Sequence, residues 1–296
     1  MNLKYAILFA IVGLFSVPMF AQGNVLNAKT PEQMFEITDQ QLAKDNDNPL
    51  PYGYVEKRDV LWSTNTWENV DLDERINFPF YYPVDTTNMA SNRRSLYDVV
   101  LKAIKSGEID AIYSDSYFSE KITLDDISAS LEVTDTTEDG FRELNEGLPI
   151  SDYNIETKRI SAYDINSYQI RGVWYVDKRQ GELKYRLLGF APVSGDVNFL
   201  DDAKQEDIPL FWVWFPGARD VLHKAKSFNN KNTASPISFD HLLNSRRFNA
   251  TIYREDNVQG DRKIKEYISN NAMMQLLESN RIKERIRDLE QDLWNY

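Results

Sequence analysis

Two runs of strand-forming residues joined by one polar turn constrain this chain more than any other feature. Residues 168–176 read as a strand. Asp177-Lys178-Arg179-Gln180-Gly181-Glu182 reads as a turn. Residues 183–193 then return, with Leu183, Tyr185 and Leu187 alternating against Lys184 and Arg186. Aromatic and branched side chains suit a pleated, half-buried surface, and a glycine in the turn allows the reversal. A hairpin is marginally stable alone, so the fold must supply more strands or helices to cover it.

Residues 60–62, 67–72 and 76–82 read as strands, the last stopped by Pro83. Leu210-Phe211-Trp212-Val213-Trp214-Phe215 has no polar residue and ends at Pro216. It is too short for an average helix and fits a strand covered on both faces. Residues 248–254 add one more strand. In 93–106, Leu96, Val99, Val100, Ala103 and Ile104 recur at helical spacing before Gly107. Thr123-Leu124-Asp125-Asp126 is an Asp form of the capping box, opening a short helix to about Leu131. Residues 134–149 read as an acidic loop. Helices follow at 218–225 and 239–246, the second with Ser238 as N-cap. Residues 263–294 are helical with a break near Ser269-Asn270-Asn271. Strands and helices do not alternate regularly. The fold class is therefore α+β, a mixed or antiparallel sheet with aromatic strands, peripheral helices and a long C-terminal helix.

The N-terminal 21 residues read as a signal peptide. Lys4 precedes the apolar run 5–15, Pro18 breaks it, and Ala21-Gln22 is the expected cleavage point. Residues 22–54 are polar and turn-rich, apart from a short helical stretch at 34–42, and read as an extended arm or linker. The body is expected to span 55–296, with a subdomain boundary near 150. The address implied is export, and the chain carries nothing that marks the redox state of that compartment, since it has no cysteine.

The same lack of cysteine removes disulfides, thiol catalysis, thiolate metal sites and lipid attachment through Cys. Two histidines, His223 and His241, leave little room for a histidine metal cluster. A net charge of −12 argues against nucleic acid as a partner, because that binding rests on phosphate neutralisation. The sequence contains no G-x-S-x-G, P-loop, G-x-G-x-x-G or H-E-x-x-H motif. Neither catalytic residues nor a cofactor can be assigned. One partial motif points to a metal: Asp135, Asp139, Gly140 and Glu146 occupy the first, fifth, sixth and twelfth places of a calcium loop. Thr137 stands where the third place wants an acid, and Arg142 where it wants a buried apolar residue. A solvated acidic loop is the alternative reading, and an exported hydrolase or calcium-dependent binder the alternative function.

The C-terminal helix, residues 272–294, would be about 35 Å long. Ile282, Ile286, Leu289 and Leu293 form one narrow apolar stripe among charged residues. Two packings fit: against the protein's own body, or as a seam against a neighbouring subunit or partner.

Several blocks carry a family resemblance. They are Gly172-Val173-Trp174-Tyr175, Lys178 through Gly189, Leu210-Phe211-Trp212-Val213-Trp214, Ser235 through Leu243, Asp71 through Pro83, and the closing Leu293-Trp294-Asn295-Tyr296. Over about 54–296 the chain resembles the gliding-motility family GldN, called PorN in non-gliding relatives. The resemblance implies a non-enzymatic subunit of the type IX secretion system, in the periplasm and peripherally attached to the inner face of the outer membrane. It implies copies of itself in a ring with a lipoprotein, GldK or PorK, and contact with the inner-membrane-anchored motor protein GldM or PorM. The lipid anchor would then belong to the partner.

Overall fold

The computed structural model describes residues 48–85, 93–147, 149, 151–199, 206–229 and 236–294. The expected signal segment, most of the arm (22–47) and its helical stretch at 34–42 lie outside them. In chain order the strands are β1 (Val60–Asp71), β2 (Ile112–Tyr113), β3 (Glu132–Thr136), β4 (Ile155–Arg159), β5 (Ile165–Asp177), β6 (Glu182–Ser194), β7 (Ile208–Pro209), β8 (Trp212–Trp214), β9 (Lys226–Ser227), β10 (Ile237–Ser238) and β11 (Thr251–Glu255). The helices are α1 (Phe78–Tyr81), α2 (Leu96–Lys105), α3 (Leu124–Leu131), α4 (Glu138–Asn145), α5 (Phe215–Lys224), α6 (Phe239–Asn244), α7 (Ile264–Tyr267) and α8 (Ala272–Trp294).

The hairpin forms from β5 and β6, and Gly181 closes its turn with φ 64°. It is the centre of a seven-stranded antiparallel sheet in the order β11-β1-β5-β6-β8-β2, with β7 added beside β6. The chain is therefore α+β, with antiparallel sheets and a long C-terminal helix. Elements from both sides of residue 150 share this unit, since β2 pairs with β8. Short bridges extend the pairing at each end: Arg254 with Lys263, and Tyr113 with Lys121.

Directly opposed residues share a sheet face. Val70 faces Tyr168, Ile170 faces Phe190, and Phe190 faces Val213. This face is covered by α1, α2, α5 and α6, whose Phe80, Leu96, Tyr97, Phe215, Leu222 and Phe239 are buried with it. On the other face Trp67, Ala191 and Trp212 form a smaller cluster. There Arg254, Trp67 and Arg171 make one cross-strand row, with the two guanidiniums 4.5 and 4.9 Å from the indole ring. Two hairpin glycines admit aromatic rings. A Cβ at Gly189 would meet the Phe118 ring at 2.5 Å, and one at Gly172 would overlap the Tyr185 phenol.

Local sequence accounts for most elements. Ser95 caps α2, Thr123 and Asp126 form the expected capping box on α3, and Ser238 caps α6. Three readings need correction. Residues 60–62 and 67–72 are parts of one strand, β1. Residues 76–82 are not a strand. They form a 3-10 turn (Arg75–Asn77) and α1, because Asn77 turns the chain out of the sheet. Its Nδ2 donates to Asp71 O at 2.6 Å and Asn249 O at 3.0 Å, and Pro79 suits the first helical turn. Residues 134–149 are not a loop throughout: they supply the end of β3 and all of α4, whose N-cap Thr137 accepts from Gly140 N–H.

The last residues of the expected arm sit on the body. The Tyr52 ring lies between the guanidiniums of Arg219 and Arg186, at 4.3 and 4.7 Å, and its hydroxyl donates to Asn244 Oδ1 at 2.9 Å. Arg219, Arg186 and Arg179 each donate to a backbone carbonyl of this segment, those of Leu50, Gly53 and Tyr54. An Arg219–Asp240 pair at 2.8 Å fixes the first of these side chains from behind.

Candidate interaction surface on the C-terminal helix

The expected break at 269–271 is where α7 and α8 separate. Asn270 takes a left-handed conformation, φ 64°, which asparagine tolerates better than most residues. The Asn271 side-chain oxygen accepts from Met274 N–H at 3.1 Å, satisfying one free donor of the first turn of α8. Further along, α8 is fastened to β11. Ile252 N–H donates to the buried Ser279 hydroxyl at 2.8 Å, and Lys283 Nζ donates to Ala250 O. Arg285 pairs with Glu255 across this contact, while Arg281 and Glu278 pair at 2.6 Å within α8 itself.

The apolar stripe divides. Ile282 and Ile286 are 1% and 4% exposed, packed with Ile252 and Ile264 and against Trp62, Trp174 and Leu183. These two side chains are therefore spent within the chain and cannot form the intermolecular seam considered from sequence. The reason is tertiary: β11 and α7 present the branched residues Ile252 and Ile264 to the stripe. Leu289 is half-buried, and the Leu293 side chain lies outside the described ones. Burial also acts on the charges around the seam. It raises the Glu255 carboxyl above its ordinary value against the pull of Arg285, and lowers the Lys283 ammonium against the pull of Glu68.

The outward surface lies one or two turns earlier. Met273, Met274, Leu276 and Leu277 are 66%, 48%, 45% and 53% exposed. Residues 273, 276 and 277 share one side of a helix, so a second apolar surface was written in the sequence beside the stripe and passed over. Burying such a side chain contributes roughly 1.5–3 kcal/mol. Clustered apolar exposure of this kind marks contact surfaces, and methionine adapts to varied partners.

The calcium candidate is taken apart by the fold. Asp135 lies on β3 and Asp139 in the first turn of α4, where it pairs with Arg142 at 3.0 Å; Glu146 caps the far end of that helix. Gly140, required at a sharp bend, is helical and fits closely against Thr136 and Asn154. Among the described residues no group of three or more His, Asp or Glu side chains is placed to hold a metal ion. Of the histidines, His223 lies beside Asp240, Nδ1 to Oδ2 3.9 Å, and His241 gives its backbone N–H to the Ser238 hydroxyl.

Residues 55–295 match the family described as gliding motility associated protein GldN. The chain belongs to the GldN family. A search of curated proteins gave no match. GldN membership makes the chain a component of gliding motility and type IX secretion, in a family of structural components and not a known enzyme family. The GldN match starts just after the arginine-held segment 50–54 and runs through α8, so the exposed Met273–Leu277 surface lies inside it. Among the described residues no helix is long and apolar enough to cross a membrane.

Proposed function

We propose that this GldN-family chain is a non-enzymatic periplasmic subunit of the type IX secretion and gliding machinery. In this reading it is held peripherally at the inner face of the outer membrane, in a ring of its own copies with the lipoprotein GldK or PorK. It also contacts the inner-membrane-anchored GldM or PorM. The exposed methionine and leucine surface at the start of α8, inside the family-matched region, carries the proposal. Export is supported by Lys4 and the apolar run 5–15 before Pro18. A ring built from one kind of subunit needs two different patches meeting head to tail. The α8 surface is one, and the arm ahead of the body-held residues 50–54 is the other.

Co-expression with the lipoprotein partner tests this. The unchanged chain should elute with it as a large assembly. Leu276→Asp with Leu277→Asp should leave the melting transition of the isolated chain nearly unchanged, because surface changes cost about 0.5 kcal/mol or less, while the assembly is lost. Normal assembly by the double variant would remove α8 from the interface, and a monomer beside the lipoprotein would overturn the ring.

A further inference from the structure

Where α8 crosses the sheet it does not close onto it fully. A cavity of about 360 Å³ remains, lined by Glu68, Trp174, Leu183, Arg246, Lys283 and Ile286 among others. The main core leaves a void of only about 10 Å³. The cleft is half open to solvent, and a volume of a few hundred Å³ with a few placed polar groups is that of a small-molecule pocket. The inner wall is apolar, with Ile252 and Ile286 buried and Trp174 and Leu183 beside them. The outer wall carries Arg287, exposed, and Glu290, half-buried.

The charges in this wall are not balanced. Arg246 holds Glu68 at 2.6 Å, and the Thr66 hydroxyl donates to the other Glu68 oxygen at 3.2 Å. Arg246 is itself fixed between rings, 4.1 Å from Tyr185, 5.1 Å from Trp174 and 5.3 Å from Phe248. Arg246 and Thr66 occupy both Glu68 oxygens, while the buried Arg246 Nη1 has no hydrogen-bond partner of its own among the described residues. Lys283 is different: it is half-buried and its hydrogen bond goes to a neutral carbonyl, that of Ala250. Burial already depresses its ammonium, and a carboxylate beside it would restore the charge. Counting Arg287 and Glu290, the lining holds three cations and two anions in a chain of net charge −12. Apolar walls argue against a sugar or free phosphate, and the surplus positive charge argues against a cation.

We propose that this cavity binds an apolar carboxylic acid, its carboxylate on Lys283 and its body against Trp174, Leu183 and Ile286. The assignment is independent of the ring. An unesterified aliphatic acid and the free C-terminus of a peptide ending in leucine share this chemistry. The test uses the whole mature chain with 8-anilinonaphthalene-1-sulfonate, an apolar anion, as fluorescent probe. Binding should saturate. Octanoate displacing the probe would identify a free acid, and a Leu-terminated peptide displacing it would identify a chain end. Octanol and the amidated peptide should fail. Lys283→Met, which keeps the side-chain length, should weaken binding at least tenfold, as should Ile286→Trp, which fills the space. Val258→Asp, at a fully exposed position outside the cavity lining, should change nothing. Thermal melting of each variant separates loss of the site from loss of the fold. Binding that does not saturate, that survives Lys283→Met in the folded protein, or that neutral analogues displace equally well would overturn the proposal.

Discussion

Two stretches of one sheet face are covered in different ways. Under α1, α2, α5 and α6, the rings of Phe80, Phe190, Phe215 and Phe239 fill the space almost completely. Under α8, four isoleucines meet at one point, and a charged pair and a cavity take up the rest. The first region is held by area and the second by a few directed bonds. Dense packing makes a helix inseparable from its sheet, because any displacement loses many contacts at once. A helix held by Ser279, Lys283 and Arg285 keeps its position and can still part from the sheet at lower cost than the core. A rigid body with one loosely clamped, partly apolar helix is a workable form for a subunit that must fit neighbours.

The sharpest way to break this comparison is to make the same kind of cut at both places. Phe190→Ala should lower global stability by about 3–5 kcal/mol, and Ile282→Ala by about 2 kcal/mol, since the helix can settle towards the adjoining cavity. Chemical denaturation reads both values. Hydrogen exchange should show α8 amides opening first in Ile282→Ala, with the sheet still protected. Equal losses with uniform exchange would mean that both regions unfold as one.

A smaller effect isolates a single fastening. Ser279→Ala leaves the buried Ile252 N–H without its acceptor and should cost about 1–3 kcal/mol. Limited proteolysis should then cut within residues 268–280 sooner, while near-ultraviolet dichroism of the aromatic core stays as it was.

The smallest effect is a pH dependence confined to one end. Burial raises Glu255 above its ordinary 4.5, so the folded state holds that proton more tightly than the unfolded chain does. Its contribution is fully present below pH 4.5 and declines as pH rises through the higher folded value. Protease cleavage of α8 should accordingly quicken slightly over that rise, and Glu255→Gln should flatten the profile. A matching trend in the main core would remove the distinction.

What could be read from the sequence was what neighbours along the chain decide. The hairpin, the capping box at Thr123 and Asp126, the apolar strand around Val213 and the break before α8 are all local and all present. Residues 76–82 misled because aromatic content suits a buried short helix as well as a strand, and Asn77 acts through Asn249, far along the chain. The acidic stretch 135–146 matched a spacing, but spacing cannot show that a strand and a helix divide it. The stripe on α8 was legible as a stripe. Which surface it meets depended on Ile252 and Ile264, which no periodicity links to it. The nest of rings around Arg246 draws on Trp174, Tyr185 and Phe248 and exists only once the sheet has formed.

The bonds that fasten α8 have one more consequence. A strand at the border of a sheet offers a row of free N–H and C=O groups, and another chain can add itself there. Along β11 and the residue before it, groups of that row are already engaged: Ala250 O by Lys283, Ile252 N–H by Ser279, and Arg254 by its bridge to Lys263. At the opposite border β2 is two residues long and Lys121 bridges its outer side. Among the described residues, then, neither end of the main sheet invites strand addition. Copies crowded side by side therefore cannot extend the main sheet into a continuous ribbon at these two borders, which leaves association there to side chains that evolution can adjust one at a time.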